Sequence, residues 1–277
     1  AQNKLATTTT PYAIGSISKS LTSVATAKLL AQDTVSLDAP IHDYHPYPAH
    51  IGQLTLRQIA SHTAGLSHYT KKREEREFVT LRDHQHPSES LDIFIDEPLK
   101  FEPGHDFQYS SNGYILLSDV LAKASNTNYV KLMEQLVFEP LNMTRTELDT
   151  SRAAAGIEAT YYEQAESNGQ HTPATTHRDR SFLFGGGAYL STPSDLVNFA
   201  WGIQQPAYLH PKYFSDITTP VALKSGEMNN QHYALGWRVH QLPLNMIQDD
   251  ADEKSSIKGI HHGGTVSDAA SAYLLMY

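Results

Sequence analysis

Ser16-Ile17-Ser18-Lys19 constrains this chain more than any other segment. It places a hydroxyl and an amine three residues apart at the opening of a predicted helix, and residues with that spacing lie one above the other on a single helix face. A serine hydroxyl is a weak nucleophile until a neighbouring base takes its proton. A lysine can be that base when burial or nearby cations lower its pKa. The pair therefore suits acyl transfer by the serine–lysine variant of serine hydrolase chemistry. Leu21, Val24, Ala25 and Leu29 follow on one stripe, with Ser16, Lys19, Ser20 and Ser23 on the other. That periodicity predicts an amphipathic helix from about Ser16 to Gln32. An ordinary helix with a polar face satisfies the same pattern. Ser255-Ser256-Ile257-Lys258 repeats the spacing behind Asp249, Asp250, Asp252 and Glu253, and reads as a solvated loop.

Bulk properties narrow the classes. The 277 residues suffice for a substantial core, and 40% apolar with 18% charged residues is a globular balance. A formal net charge of −9 disfavours nucleic acid or an anionic membrane surface as the main partner. The absence of cysteine excludes disulfides and thiolate metal sites; it is compatible with any compartment and leans slightly toward export. No apolar run reaches membrane-spanning length. The start at Ala1-Gln2-Asn3 leaves room for a removed leader, so the expected compartment is extracytoplasmic or organellar.

Along the chain, residues 1–13 read as an extended lead-in, and Leu54 to Ser61 as a short helix. Lys71 to Glu77 is a charge run suited to a solvated surface or insertion. Tyr114 to Ala124 and Tyr129 to Phe138 carry helical spacing, and Thr150 to Arg180 reads as loops with some strand. Thr192-Pro193-Ser194-Asp195 is a capped helix start. Tyr233 to Val239 and Ser271 to Tyr277 read as strands.

Two further segments bear chemistry. Tyr109-Ser110-Ser111 follows the Pro103-Gly104 turn. Its phenol suits proton transfer in a cleft near a lysine, or simple anchoring between helices. His261-His262-Gly263-Gly264 offers backbone N–H groups for an oxyanion, or forms a hairpin turn with two solvated histidines. Zinc ligation among His42, His45, His50, His62, His68, His84 and His86 lacks the helix spacing of metalloprotease sites, so no metal and no cofactor is expected.

Together these segments resemble the serine β-lactamase-like family: class C β-lactamases, penicillin-binding proteins and related esterases. Ile14 to Ser20 is similar to its nucleophile motif, and Ile59-Ala60-Ser61-His62-Thr63-Ala64-Gly65-Leu66 to its "SHTSGL" element. Phe101 to Gly104 with Tyr109 to Tyr114 resembles its "PG…YSNxGY" block. Gly186-Gly187 with Leu190-Ser191-Thr192 and Asp195-Leu196 resembles "GGLxST…DL", and Tyr233 to Trp237 resembles "YGLGW". His261 to Gly264 matches the third catalytic element, with histidine in place of lysine. Within the family the chain resembles the branch of the mitochondrial serine β-lactamase-like protein and its bacterial relatives, where a charge-rich insertion also follows the "SHxxG" element.

The resemblance implies Ser16 as the acylated nucleophile, Lys19 as its proton acceptor, Tyr109 as a proton shuttle and His261 as support from the far side of the cleft. The N–H groups of Ser16 and Gly264 would form the oxyanion hole, and Ser111, Asn112, His262 and Gly263 would line the substrate site. Ser111 stands where the family's asparagine falls, with Asn112 one residue late.

The implied fold is α/β (α+β) of the β-lactamase/transpeptidase type. A helix-rich region at 16–205 is expected to pack on an antiparallel sheet region built from 1–15 and 206–277, with part of the family's sheet lying outside these residues. The implied function is hydrolysis of esters or amides, small peptides included, through an acyl-serine. The alternative is a structural or self-associating protein of the same fold with little catalysis.

Overall fold

The computed structural model describes residues 5–69, 83–150, 159, 180–243, 255–266 and 270–277. The charge run at Lys71 to Glu77 and nearly all of 150–180 lie outside them.

The serine–lysine segment enters its helix through a tighter turn. Gly15–Ile17 is a 3-10 turn, and helix α1 (Ser18–Ala31) continues from it. The expected polar stripe does not face solvent: Ser18 to Ala27 are all buried. The side chains explain this. Short hydroxyls can be buried when each finds an acceptor. Ser20 Oγ donates to the Gly236 carbonyl at 2.8 Å, Ser23 Oγ donates to the Leu235 carbonyl, and Thr22 Oγ1 donates to the Ser18 carbonyl at 2.9 Å. The helix is thus central rather than amphipathic.

Around it stand α2 (Ala49–Gly52) and α3 (Leu56–Ala60), the latter opened by a Thr55/Gln58 capping box. Helix α4 (Ser111–Ser125) is capped by Ser110 Oγ, which accepts the Gly113 N–H at 3.0 Å. Helix α5 (Tyr129–Met133) runs on into a π-helical turn at Glu134–Phe138. Thr192 caps α6 (Pro193–Gly202) as its sequence predicts. Helix α7 (Pro211–Thr218), outside the expected elements, is opened by a His210 cap and lies against α1.

Strand β3 (Tyr189–Ser191) pairs antiparallel with both β1 (Tyr12–Ala13) and β2 (Glu147–Leu148). A second antiparallel sheet has the order β4-β5-β6, from β4 (Arg238–Pro243), β5 (Ser256–Val266) and β6 (Ala270–Met276). Helices packed on antiparallel sheets give a mixed α/β architecture, as expected.

Three local expectations are corrected. Residues 256–258 belong to β5, not to a loop. On a strand, positions three apart point to opposite faces, so Ser255 and Lys258 form no pair. The strand expected from Tyr233 begins only at Arg238, because Gly236 at φ +80° closes a turn in which the Ala234 N–H bonds the Trp237 carbonyl at 2.8 Å. His261 to Gly264 sit inside the ladder, opposite Leu275 to Ala272, so they make no hairpin turn.

Strand alternation assigns faces in this sheet. Ile260, His262, Gly264 and Val266 share one face of β5 and are buried. Ile260 joins Val239, Leu274 and Met276 in the core. His261 and Gly263 take the opposite face, with Tyr273, which is 62% exposed.

Candidate active site

Lys19 is completely buried at the end of the turn that carries Ser16. Its Nζ lies 3.1 Å from Ser16 Oγ and 3.0 Å from Ser111 Oγ, and it donates to the Gly186 carbonyl. Burial, reinforced by the Arg238 guanidinium, pushes its pKa well below the usual lysine value. The neutral amine has two N–H bonds and one lone pair. It can donate to Ser111 Oγ and the Gly186 carbonyl while the lone pair receives the Ser16 proton.

Tyr109 completes the group. Its phenol interacts with Ser16, and the Lys19 amine lies 4.8 Å from the ring centroid. Burial raises the phenol pKa, while the Ser16 hydrogen bond and Arg238 partly oppose that rise.

β5 forms the facing wall. A Cβ added to Gly264 would lie 1.9 Å from the Ile14 carbonyl oxygen and 3.1 Å from the Ser16 nitrogen. Gly15, at φ +49°, would likewise meet the Thr265 carbonyl at 2.9 Å. Only hydrogen at both positions lets strand and nucleophile turn abut, which brings the Ser16 and Gly264 backbones together.

The two histidines part company. His262 is buried on the inner face, its Nε2 2.8 Å from the Tyr233 hydroxyl, and Lys19 is among the charges that lower its pKa, after burial itself. His261 points outward, with Nδ1 2.6 Å from the Tyr273 hydroxyl and Nε2 2.8 Å from His240 Nδ1. Burial and His240 lower its pKa to about 4. The pleat thus separates the two rings: His262 bonds Tyr233 on the inner face, while His261, also buried, sits opposite Arg238 and bonds Tyr273 and His240. Gly263 shares the outer face. Asn112 leaves the cleft: its Nδ2 donates to Ser67 Oγ at 3.3 Å, and Ser111 takes its place beside Lys19.

Sequence reasoning assigned no role to several residues found here. Arg238 stands over the Tyr109 and Tyr233 rings at 5.6 and 5.3 Å. His62 and His68 lie against Tyr109 at ring distances of 4.4 and 5.8 Å. Tyr233 and His62 lay within quoted blocks, but neither spacing nor residue type marked them as part of the site. Among the described residues, no group of three or more histidines or carboxylates is arranged to hold a metal.

A serine and a tyrosine of intermediate exposure around a buried lysine, held between a helix bundle and the central strand of an antiparallel sheet, fit the class of the serine β-lactamases and penicillin-binding proteins. The sequence model described as Beta-lactamase matches residues 1–277, and this chain belongs to that family. The human mitochondrial serine beta-lactamase-like protein LACTB is 26% identical over 308 residues, covering 82% of this chain and 56% of that protein. The chain thus spans about half the length of the curated relatives it matches. A D-stereospecific amidohydrolase from Streptomyces superposes with a TM-score of 0.74 at 23% identity, over 93% of this chain and 76% of its own. An octameric penicillin-binding protein homologue from Pyrococcus abyssi superposes with a TM-score of 0.73 at 21% identity, over 98% and 60%. Likeness at these identities speaks for the fold.

Proposed function

We propose that this chain carries the active site of a serine hydrolase that cleaves amide or ester bonds through an acyl-serine. One observation carries the reading: a lysine amine with a depressed pKa lies 3.1 Å from Ser16 Oγ. In the proposed reaction Ser16 Oγ attacks the substrate carbonyl and Lys19 Nζ takes its proton. The developing oxyanion is held by the Ser16 and Gly264 N–H groups. Tyr109 passes a proton to the leaving amine or alkoxide as the tetrahedral intermediate collapses. Water then attacks the acyl-serine, gives up its proton through the same groups and frees Ser16 Oγ. His262, rather than His261, supports the cleft from β5, and Arg238 supplies a positive charge at its mouth for an anionic group on the substrate. The amidohydrolase superposition supports amides as substrates. The helix-rich region at 16–205 and the sheet-bearing region of 1–15 with 206–277 are proposed as the two walls.

An assembly-forming protein is the second reading, favoured by the octameric neighbour. The mitochondrial setting of the human relative supports an organellar compartment.

The test combines a fluorophosphonate probe with intact-mass detection of acyl-enzyme over a panel of esters, small peptides and penicillins. Ser16 labelling that vanishes in Ser16→Ala is the expected result. Turnover of an active substrate that survives Ser16→Ala refutes the mechanism. Large assemblies in light scattering, with no adduct on any substrate, favour the second reading.

A further inference from the structure

The backbone on either side of Tyr109 is held from one direction. The His62 carbonyl accepts the Gln108 N–H at 2.9 Å, and His62 Nδ1 accepts the Ser110 N–H at 3.2 Å. His68 Nδ1 accepts the next amide, Ser111 N–H, at 3.0 Å. Ser110 and Ser111 open α4, where backbone N–H groups have no partner within the helix. A carboxylate or hydroxyl usually fills that place. Here two imidazoles do. His62 adopts φ +64°, a costly conformation for a residue with a side chain, and its Nε2 is buried without a hydrogen-bond partner. The ring is therefore oriented by its bond to Ser110.

We propose that His62 and His68 are positioning residues: they clamp the chain behind Tyr109 so that the phenol meets Ser16, using uncharged acceptors that put no anion beside Lys19. The proposal rests on the hydrolase reading for its purpose, while the clamp itself rests on the geometry. An anion at either position would favour the lysine ammonium and disable the base. The groups facing the clamp agree with this requirement. His62 faces Lys19 from α1, Arg238 from β4, His262 from β5, its neighbour His68, and the rings of Phe107, Tyr109, Tyr114 and Tyr233. His68 faces Lys19, Tyr69 and Tyr109. None of these groups is an anion, and burial is the first cause that opposes protonation of either ring.

Nitrogen-15 NMR of histidine-labelled protein tests the clamp without reference to turnover. Both rings are expected as neutral Nε2–H tautomers between pH 5.5 and 8; an Nδ1–H tautomer or an imidazolium at either position overturns it. Lysine carbon-13 titration then compares His68→Asn, which keeps an acceptor near Nδ1, with His68→Asp. The aspartate is expected to raise the Lys19 pKa by about one unit or more, and the asparagine to leave it in place. Equal titration in both variants refutes the requirement for neutrality. Finally, His68→Leu is expected to slow fluorophosphonate labelling of Ser16 about tenfold, with His68→Asn restoring most of the rate. Equal rates in the two variants refute the clamp's catalytic purpose. No labelling of the unaltered protein refutes the hydrolase reading alone, with the two NMR arms still judging the clamp.

Discussion

Lys19 Nζ and Ser111 Oγ lie 3.0 Å apart although 92 positions separate them in the chain. Ser111 therefore holds the amine at the point where the family pattern supplies an amide. Ser111→Ala leaves Ser16 and the Gly186 carbonyl as partners of Lys19. We expect acylation of Ser16 to slow about tenfold, the loss of one hydrogen bond to a reacting group. Stopped-flow labelling checks this, and an unchanged rate would remove Ser111 from the site.

Burying Lys19 costs stability. Its folded pKa lies below the unfolded value, so between the two the unfolded chain holds a proton that the folded chain has shed. The cost is full below the folded pKa and fades as pH rises toward the ordinary lysine value. Lys19→Met is expected to abolish activity and raise Tm at pH 7 by about 3 °C or more. The gain should shrink at alkaline pH. A lower Tm in a folded variant would contradict this account.

Acid acts through the histidines. Burial lowers His62 and His262 well below the usual value, and His68 to about 4. The unfolded rings titrate near 6.5, so below that pH the unfolded chain binds protons that the folded one refuses. Stability should fall as pH drops from about 6.5 toward 4, with uptake of about two protons or more on unfolding near pH 5. Calorimetry in buffers of different ionisation enthalpy measures that uptake, and an uptake near zero would refute the picture.

The pleat of β5 predicts a contrast between neighbours. His262→Ala should reduce labelling of Ser16 by about tenfold or more, because it removes the inner-face ring bonded to Tyr233. His261→Ala should change labelling by less than about threefold, since its partners are Tyr273 and His240 on the outer face. The reverse ranking would restore His261 to the cleft.

Gly264→Ala tests the abutting backbones. A methyl group 1.9 Å from the Ile14 carbonyl oxygen must push β5 away from the nucleophile turn. We expect a loss of about 2 kcal/mol in denaturant unfolding and a large fall in labelling. An unperturbed variant would show that the wall yields there.

Much of this was legible in the chain. Spacing placed Ser16 and Lys19 on one turn, and the Thr192-Pro193 cap predicted α6 because capping is local chemistry. The resemblance supplied Tyr109. Legibility ended where long-range packing decides. The buried hydroxyls of α1 look like a solvent stripe until Gly236 and Leu235 accept their protons. Nothing within His261-His262 states which ring faces inward, because the register of β5 against β4 and β6 sets that. Arg238 reaches Tyr109 only through the fold.

The bonds from Ser20 and Ser23 to the turn ahead of β4 have a mechanical consequence. They tie the helix that follows Ser16 to the heart of the protein, so the position of that hydroxyl depends on the same packing that holds the fold. A change in the loops around the cleft therefore leaves Ser16 in place, whereas a change that loosens these two bonds moves it.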